Sequence, residues 1–360
     1  MRTFRISDRS LHLIDAPEPT PAAGEVLVDV HTIGVNRADV AEVACAYPPP
    51  PFLTPLRTAD GAEFCAPGVE IAGTRRDTGD EVVALVAGNG YAEVVAVEES
   101  ALLPLPQQPT TPADGIADGD RPADGIADGD RPADGNPEAT GTASDRFAFA
   151  ASVLEAAATV VSNLHLETQV RAGERVLIHG ATGSVGLTAV QFAKARGAHV
   201  TAIAGSDTNA ALLRRIGADV AFNRHDGDVF EQIAAGDGPR SFDVILDVLG
   251  GGDALEKNVG ALSEYGRLVI IAVLAGATGT LPVMQVMLKK AHIIGTTLRS
   301  RRGEAKARVM EAVRSQMWPL IQSGQIRVPI RAEVPFEDAA AAHQILRDGG
   351  HLGKVVLRLR

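Results

Sequence analysis

The sequence feature that most limits the fold is a glycine-rich turn between an apolar strand and an apolar helix. Residues 176–186 read Val-Leu-Ile-His-Gly-Ala-Thr-Gly-Ser-Val-Gly. A strand that leaves such a turn as a helix directs backbone N–H groups and the positive end of the helix dipole at one point. The pattern therefore predicts a pyrophosphate site at Ala181, Gly183, Ser184 and Val185, although Ala181 replaces the first glycine of the usual G-x-G-x-x-G pattern.

Apolar runs alternate with helical segments through the second half of the chain. Strands are predicted at residues 176–179, 200–204, 220–222, 244–247, 268–273 and 293–298, and helices at residues 184–195, 209–216, 229–234 and 254–262. Strands that alternate with crossover helices form an open parallel sheet. We therefore expect a doubly wound α/β fold of the Rossmann type, followed by a helix at residues 305–323 and a last strand at residues 355–359.

The first part of the chain has the pattern of a mostly β domain. Residues 24–35 alternate apolar and polar side chains, as in a half-buried strand, and strand-like runs follow at residues 81–86 and 91–97. An Ala-rich helix is predicted at residues 147–166. With 360 residues, the chain is long enough for two domains of different class.

Residues 107–145 differ from both parts. The sequence ADGIADGDRP occurs at residues 113–122 and again at residues 123–132. A segment with so few bulky apolar side chains cannot offset the entropy of ordering, so we expect a disordered, low-complexity insertion. Calcium binding by the Asp-Gly pairs is the alternative, but their spacing fits neither an EF-hand nor a glycine-rich β-helix repeat.

Composition excludes several classes of function. The net charge of −11 argues against a surface for nucleic acid, which needs clustered Lys and Arg. Two cysteines exclude a disulfide scaffold and favour a reducing compartment. The first residues contain no apolar run of the signal-peptide kind, so we expect a cytoplasmic protein.

One uncharged stretch, residues 268–288, is long enough to cross a bilayer. Gly, Thr, Pro and Gln interrupt it. We favour a buried parallel strand, then a turn, then apolar packing, because buried parallel strands read as continuous apolar runs.

The end of the second predicted parallel strand bears on the choice of cofactor. Dinucleotide sites for NAD place an acidic residue there, whereas this chain has Ala204, Gly205 and Ser206. Ser206 could bind a ribose 2′-phosphate and Arg224 could supply a positive charge, which predicts NADP(H). The alternatives are a helix N-cap for Ser206 and a solvated surface charge for Arg224, and Asp207 keeps NAD open.

Several segments besides the glycine turn carry a recognisable pattern: residues 36–39 (NRAD), 46–50 (AYPPP), 67–73 (PGVEIAG), 88–93 (GNGYAE), 246–251 (LDVLGG), 298–301 (LRSR) and 353–357 (GKVVL). Together with the turn they resemble the zinc-free quinone oxidoreductases of the medium-chain dehydrogenase/reductase superfamily. The segment at residues 298–301 resembles the branch of the tumour-suppressor-inducible quinone oxidoreductase. Residues 53–65 match the family poorly, which leaves the substrate open.

The resemblance implies a GroES-like catalytic domain at residues 1–155 and 299–360, a Rossmann domain at residues 156–298 and a homodimer. It implies NADPH-dependent hydride transfer to a quinone or similar conjugated carbonyl. At the nicotinamide the resemblance implies Asn36 and Thr159, and at the substrate it implies Tyr47. Phosphate contacts are implied for Gly183, Ser184 and Val185 at the pyrophosphate and for Gly205, Ser206 and Arg224 at the 2′-phosphate. The nicotinamide cleft is implied to be lined by Leu249, Val273, Leu274 and Leu298, and Ser300 and Lys354 are further implied cofactor contacts.

Metal and nucleophilic chemistry are not expected. Val69 stands where zinc enzymes of this superfamily have a histidine ligand, and Cys45 is expected to be a small buried hydrophobe. His179, in the first parallel strand, is expected to be a packed core residue. Two alternatives remain open: an NADPH-dependent enoyl or alkenal reductase, and a non-enzymatic NADPH-binding protein.

Overall fold

The structure is a computed structural model that describes residues 1–106, 143–236, 238–350 and 352–359, with side chains from residue 146 in the second of these ranges. The predicted disorder and the calcium alternative at residues 107–142 lie outside the described residues.

The strands are β1 Arg2–Ser7, β2 Ser10–Asp15, β3 Glu25–Val35, β4 Leu56–Arg57, β5 Glu63–Phe64, β6 Glu70–Arg75, β7 Glu81–Leu85, β8 Val94–Glu98, β9 Leu102–Pro104, β10 Arg175–Ile178, β11 His199–Ala204, β12 Val220–Asn223, β13 Phe242–Asp247, β14 Gly250–Gly252, β15 Leu262–Ile270, β16 Gly276–Gly279, β17 His292–Gly295, β18 Ile330–Pro335 and β19 Lys354–Arg358. The α-helices are α1 Arg37–Val43, α2 Ala143–Val160, α3 Ser184–Ala195, α4 Asp207–Arg215, α5 Val229–Ala235, α6 Ala254–Ala261, α7 Val283–Lys289, α8 Gly303–Ala312, α9 Trp318–Gln322 and α10 Ala339–Asp348. Two π-helical turns, Val161–Glu167 and Val313–Met317, follow α2 and α8, and 3-10 turns lie at Glu99–Ala101 and Phe336–Asp338.

A parallel sheet forms one half of the molecule, with strand order β12-β11-β10-β13-β15-β17. Neighbouring strands in this order pair in parallel, and helices α3 to α7 lie in the connections between them. The inner strands are apolar along their length because helices cover both faces. The predicted doubly wound fold is therefore confirmed.

A mixed sheet forms the other half, with strand order β18-β19-β3-β6-β7-β9 and β8 paired to β3. Strand β19, close to the carboxyl end of the chain, pairs antiparallel with β3 near its amino end. Both ends of the chain therefore build this sheet, and the parallel sheet lies between them in sequence.

Helix α2 packs between the two sheets. It contacts strands β3, β6 and β7 on one side and helix α3 on the other. Residues 146–167 are long and apolar enough to span a membrane, but 89% of the tested window is buried inside the protein, as in a core helix. The helix begins at Ala143, so the predicted insertion extends three residues too far, since the helical pattern starts before the first bulky side chain.

Other predicted elements need correction. Strand β15 begins six residues earlier and ends three residues earlier than predicted, and β17 ends at Gly295 rather than residue 298. The helix predicted at residues 305–323 is interrupted by a π-helical turn. Cys45 is exposed rather than buried, because it follows α1 at a positive φ of 60° and turns outward.

The apolar packing predicted at the end of residues 268–288 is wrong. The end of β15 that lies in this stretch, residues 268–270, is largely buried, but β16 is exposed and no residue of α7 is buried. Val286 packs on the sheet, whereas Met284, Met287 and Leu288 are at least 65% exposed. Helix α7 therefore presents an apolar face to its surroundings.

Candidate functional site

The two halves meet at the glycine turn between β10 and α3. The Thr182 carbonyl accepts a hydrogen bond of 3.1 Å from the Gly353 N–H, and Gly183 forms an isolated bridge with Gly353. The carboxyl ends of the parallel strands therefore face the beginning of β19. An edge of this kind is where doubly wound sheets bind their ligands.

The turn has the space that a pyrophosphate requires. A Cβ at Gly186 would lie 2.4 Å from the Gly180 carbonyl oxygen, so only glycine lets α3 approach the end of β10 so closely. A Cβ at Gly183 would meet nothing nearer than 3.9 Å. Gly183 is the N-cap of α3, and the first N–H groups of a helix have no partner within it. The residues of this turn therefore fit a pyrophosphate group.

The next turn, after β11, contains the residues predicted to select the cofactor. Ser206 is the N-cap of α4, where its Oγ accepts a hydrogen bond of 3.2 Å from the Asn209 N–H. The N-cap alternative that the sequence left open is therefore correct, although a capping hydroxyl retains a proton to donate. Arg224 is exposed, and its Nε would lie 3.5 Å from a Cβ on Gly205. Its guanidinium thus covers the open side of this turn.

A buried ion pair holds the predicted nicotinamide contact Asn36. The Lys354 Nζ lies 2.6 Å from both the Asn36 Oδ1 and the Glu70 Oε2, and the side chains of Lys354 and Glu70 are at most 1% exposed. The Asn36 Nδ2 donates to the Gly34 carbonyl at 3.0 Å. These two contacts take two of the three donors of the Lys354 ammonium and hold the Asn36 side chain in place, and contact of Lys354 with the cofactor remains a prediction.

Helix α2 contributes a second carboxyl group to this region. The Glu155 N–H donates to the Glu70 Oε1 at 2.8 Å, and the Glu155 Oε1 accepts from the Thr159 hydroxyl at 2.9 Å. Removal of the Glu155 carboxyl from water raises its pKa, Lys354 opposes the rise, and Glu70 adds to it. Asn36 and Thr159 are thus linked through Glu70 and Glu155, as their shared predicted role requires.

Asp39 fixes the loop that carries Asn36. Its Oδ2 accepts from the Asn36 N–H at 2.7 Å, and its Oδ1 accepts from the Gly68 N–H at 3.2 Å. The Tyr91 hydroxyl lies 3.4 Å from the same carboxylate and 2.9 Å from the His343 Nε2. Complete burial raises the pKa of Asp39 to about 7.

Three of the four apolar residues predicted for the cleft, Leu249, Val273 and Leu274, follow the carboxyl ends of β13 and β15. The Leu274 N–H donates to the Val248 carbonyl, and the Ala275 N–H donates to the Leu249 carbonyl. The side chains of Val273 and Leu274 are 56% and 57% exposed, so they are accessible at this edge of the parallel sheet. Below them, the buried Asp247 accepts the N–H groups of Leu249 and Gly250 and fixes the loop.

Tyr47 lies in a cavity of about 560 Å³. The cavity is lined by Tyr47, Phe52, Thr297, Arg299, Ser300, Arg302 and the four prolines at residues 48–51. Burial raises the pKa of the Tyr47 phenol, so its hydroxyl stays a hydrogen-bond donor at neutral pH. The structure thus brings Ser300 together with Tyr47, while Leu298 packs against the core beside them.

The structure also shows the positions of His179, predicted to be a core residue, and of Val69, which replaces a zinc ligand. His179 is buried and its Nε2 donates to the Asn258 Oδ1 at 2.8 Å, and its burial lowers its pKa, as expected for a core histidine. Val69 is buried before β6. Among the described residues, no three His, Cys, Asp or Glu side chains are grouped to hold a metal ion. Metal independence remains a prediction.

The sequence analysis missed three ionisable residues of this region. Glu155 is the one charged residue in an Ala-rich run at residues 147–164, and that contrast could have marked it as functional. Glu42 and Arg299 form an ion pair of 2.8 Å with both side chains at most 5% exposed. Nothing in the sequence links two residues so far apart.

Comparisons with known proteins agree with this geometry. A family model described as zinc-binding dehydrogenase matches residues 184–315. Quinone oxidoreductase from Mus musculus is 28% identical over 96% of this chain and 92% of its own length. The structure of a quinone oxidoreductase from Thermus thermophilus, also determined as a complex with NADPH, covers all of both chains at 30% identity and a TM-score of 0.75. Escherichia coli quinone oxidoreductase complexed with NADPH shares the fold at 23% identity and a TM-score of 0.76.

The raised pKa of Asp39 predicts a pH-dependent stability. A carboxyl with an ordinary pKa of 3.8 and a folded-state pKa of about 7 binds a proton more tightly in the folded state. The stability it contributes is complete below about pH 4 and is lost as pH rises through about 7. Relative to Asp39→Asn, the wild-type free energy of unfolding should therefore fall between about pH 4 and 7 and level off above pH 7, measured by urea denaturation. Asp80→Asn, at an exposed carboxylate, is the control, and an offset that does not change with pH would contradict the prediction.

Proposed function

Because the chain belongs to the quinone oxidoreductases of the medium-chain dehydrogenase/reductase superfamily, we propose that it transfers a hydride from NADPH to a quinone or similar conjugated carbonyl, without a metal. One observation carries this proposal. The open glycine turn, the linked pair Asn36 and Thr159, and the Tyr47 cavity are held around the carboxyl edge of one parallel sheet. Hydride transfer needs this kind of fixed placement, and it needs no protein nucleophile.

The proposed cofactor is NADP(H). The relative from Thermus thermophilus binds NADPH according to its structure. In this chain the end of β11 carries no carboxylate, and the Arg224 guanidinium covers Gly205. Asp207, which left NAD open, accepts a hydrogen bond of 3.1 Å from the Asn223 Nδ2 and is the first residue of α4. These contacts favour a 2′-phosphate over a bare ribose.

The side chains of this protein would bind and orient rather than react. Bound NADPH supplies a hydride. Asn36, fixed by Lys354 and Asp39, and Thr159, fixed by Glu155, would hold the carboxamide of the nicotinamide and so select the ring face. Leu249, Val273 and Leu274 would cover this ring and exclude water. Tyr47 would stack on a flat acceptor and donate a hydrogen bond to its carbonyl oxygen, and the proton that completes the product would come from solvent.

Two alternatives remain. An enoyl or alkenal reductase would use the same cofactor contacts, because it also delivers a hydride to a conjugated acceptor. A panel of quinones and enoyl thioesters separates these two enzymes. Tight NADPH binding without oxidation by any acceptor would instead indicate a non-enzymatic role.

We further propose a homodimer in the cytoplasm, formed through α7 and the neighbouring β17. Strand β17 is the last strand of the parallel sheet, and the five apolar side chains Leu281, Val283, Met284, Met287 and Leu288 beside it are 43–71% exposed. A second copy of the chain could pair its own β17 with this open sheet edge and bury the apolar patch at the same time. A second copy would also explain why α7 lacks the packing that its sequence predicts.

The dimer surface can be tested by charge. Met284→Glu and Met287→Glu place carboxylates in the patch, so the molar mass measured by light scattering should fall from that of two chains to that of one. Leu13→Glu, at another exposed apolar residue, should leave the mass unchanged. A wild-type protein with the mass of one chain, or a dimer unaffected by both Met variants, would contradict this assignment.

Arg224 should determine the preference for NADPH. Charge-assisted hydrogen bonds to phosphate contribute about 1.5–3 kcal/mol. Arg224→Ala should therefore weaken NADPH binding about tenfold or more and leave NADH binding nearly unchanged, as measured by fluorescence titration. Arg9→Ala, which removes a charge from the β1–β2 turn, is the control. An equal loss of affinity for both cofactors would show that Arg224 is structural.

Tyr47 provides the test of the reaction. One hydrogen bond of this kind contributes about 0.5–1.5 kcal/mol. Tyr47→Phe should therefore slow the oxidation of NADPH by a naphthoquinone from a few-fold to about tenfold, and Tyr47→Ala should slow it more, with the affinity for NADPH unchanged. Stopped-flow absorbance of NADPH measures this step, and Tyr265→Phe, at an exposed tyrosine on β15, is the control.

Wild-type rates with Tyr47→Ala would remove Tyr47 from the site. Failure of every quinone to oxidise NADPH would instead transfer the function to one of the two alternatives.

A further inference from the structure

The cavity at Tyr47 has an unusual charge for this protein. The whole chain has a net charge of −11, yet among the described residues that line this cavity the charged side chains are both arginines, Arg299 and Arg302. The acid paired with Arg299, Glu42, is buried with a side chain 2% exposed and does not line the cavity. A ligand in the cavity would therefore meet positive charge on one side and no facing carboxylate from the lining.

Arg299 is fixed in place but not fully used. Its Nε donates to the Ala87 carbonyl at 2.6 Å, and its Nη2 lies 2.8 Å from the Glu42 Oε2. Within the part of the chain that the structure describes, neither Nη1 nor Nη2 forms a hydrogen bond, and both atoms are buried. Unpaired buried donors are costly, so Arg299 retains unused donors next to the cavity that it lines.

The two arginines are matched by two aromatic rings. The Arg299 guanidinium lies 5.6 Å from the centre of the Tyr47 ring, and the Arg302 guanidinium lies 5.4 Å from the centre of the Phe52 ring. Arg302 is exposed at the mouth, and no acid within the described residues is paired with it. A ligand in the cavity would thus meet guanidinium groups that lie over the two aromatic rings of the lining. Guanidinium groups bind carboxylates and related anions with paired, directional hydrogen bonds.

We propose that this cavity selects acceptors that carry an anionic group directly on the conjugated ring, and that Arg299 and Arg302 bind this group. The inference rests on the proposed function and names its substrate class: a small aromatic quinone with a carboxylate or similar anionic substituent. In the reaction, NADPH loses a hydride and becomes NADP⁺. The quinone gains this hydride and one proton from solvent to become the hydroquinone, while the anionic substituent keeps its bonds.

The first test compares 1,4-naphthoquinone with 1,4-naphthoquinone-2-sulfonate as acceptors. The two differ in intrinsic reactivity, so the quantity of interest is the ratio of their kcat/KM values in each variant. Arg302→Gln should lower this ratio, sulfonate over neutral quinone, about five- to tenfold, because it removes one charge-assisted contact. Arg302→Lys should restore part of it, and the wild-type ratio should fall with increasing salt.

Arg301→Gln is the matched control, because Arg301 is paired with Glu167 and does not line the cavity. For the inner arginine, the double variant Arg299→Gln with Glu42→Gln avoids leaving a buried carboxylate unpaired. It should lower the ratio about tenfold or more. If this double variant does not fold, the Arg302 variants still decide the outcome.

The second test is independent of catalysis. Naphthalene-2-sulfonate and the neutral 2-naphthylmethanol, neither of which is reduced, are titrated into the protein by calorimetry. The sulfonate should bind more tightly, and Arg302→Gln should remove most of the difference. Reduction of naphthoquinone with an unchanged ratio in every variant would overturn this inference and leave the proposed function standing. Sulfonate binding that depends on Arg302, without reduction of any quinone, would overturn the proposed function and support the anion site. Equal binding of the two naphthalenes would also overturn the inference.

Discussion

The buried ion pair between Lys354 and Glu70 is the interaction on which the rest of the site depends. Through the Glu70 carboxylate it joins β6, β19, the end of β3 and helix α2, because the same two oxygens accept the Lys354 ammonium, the Asn36 amide and the Glu155 N–H. Two charges buried together contribute little to stability compared with apolar packing, but loss of one partner leaves the other unpaired at a cost of about 3–5 kcal/mol. The pair therefore fixes one arrangement of the four elements.

This arrangement explains how the chain ends serve the parallel sheet. Strand β19 begins at Lys354, next to the Gly353 N–H that binds the glycine turn. Lys354, which holds Asn36, and Gly353, which contacts the glycine turn, are thus neighbours in sequence. A small movement of β19 would disturb both contacts together, so the two halves of the molecule cannot move apart without breaking them.

The sequence predicted the parallel sheet and its glycine turn because both depend on local patterns. Apolar strands between helical segments give the order of elements, and the spacing from Ala181 to Gly186 requires close approach of α3 and β10. The resemblance also indicated Asn36, Thr159 and Tyr47 as parts of one site. The structure holds the first two within one hydrogen-bonded network and places Tyr47 in the cavity with Ser300.

The features of the site that the sequence did not indicate depend on contacts between segments that are far apart in the chain. The two partners of Lys354 come from the end of β3 and from β6, and no local pattern reveals that they meet its ammonium. The pair between Glu42 and Arg299 forms because α1 and the loop after β17 meet in space. The exposed face of α7 has a similar origin, since an apolar helix packs only if something is present to cover it. Periodicity therefore predicted the elements, and the charges at the site required the tertiary structure.

Hydride transfer from a fixed nicotinamide face is tested most directly by the effect of deuterium in NADPH on the rate of a single turnover. NADPH deuterated at C4 on one face or on the other is mixed with the protein and a naphthoquinone, and its oxidation is followed by stopped-flow absorbance. Asn36 and Thr159 are expected to hold one face of the nicotinamide toward the acceptor. One deuterated form should therefore react about two- to several-fold more slowly than unlabelled NADPH, and the other should react at the same rate. Equal rates for both forms in a step shown to be chemical, or slowing by both, would contradict hydride transfer from a single fixed face.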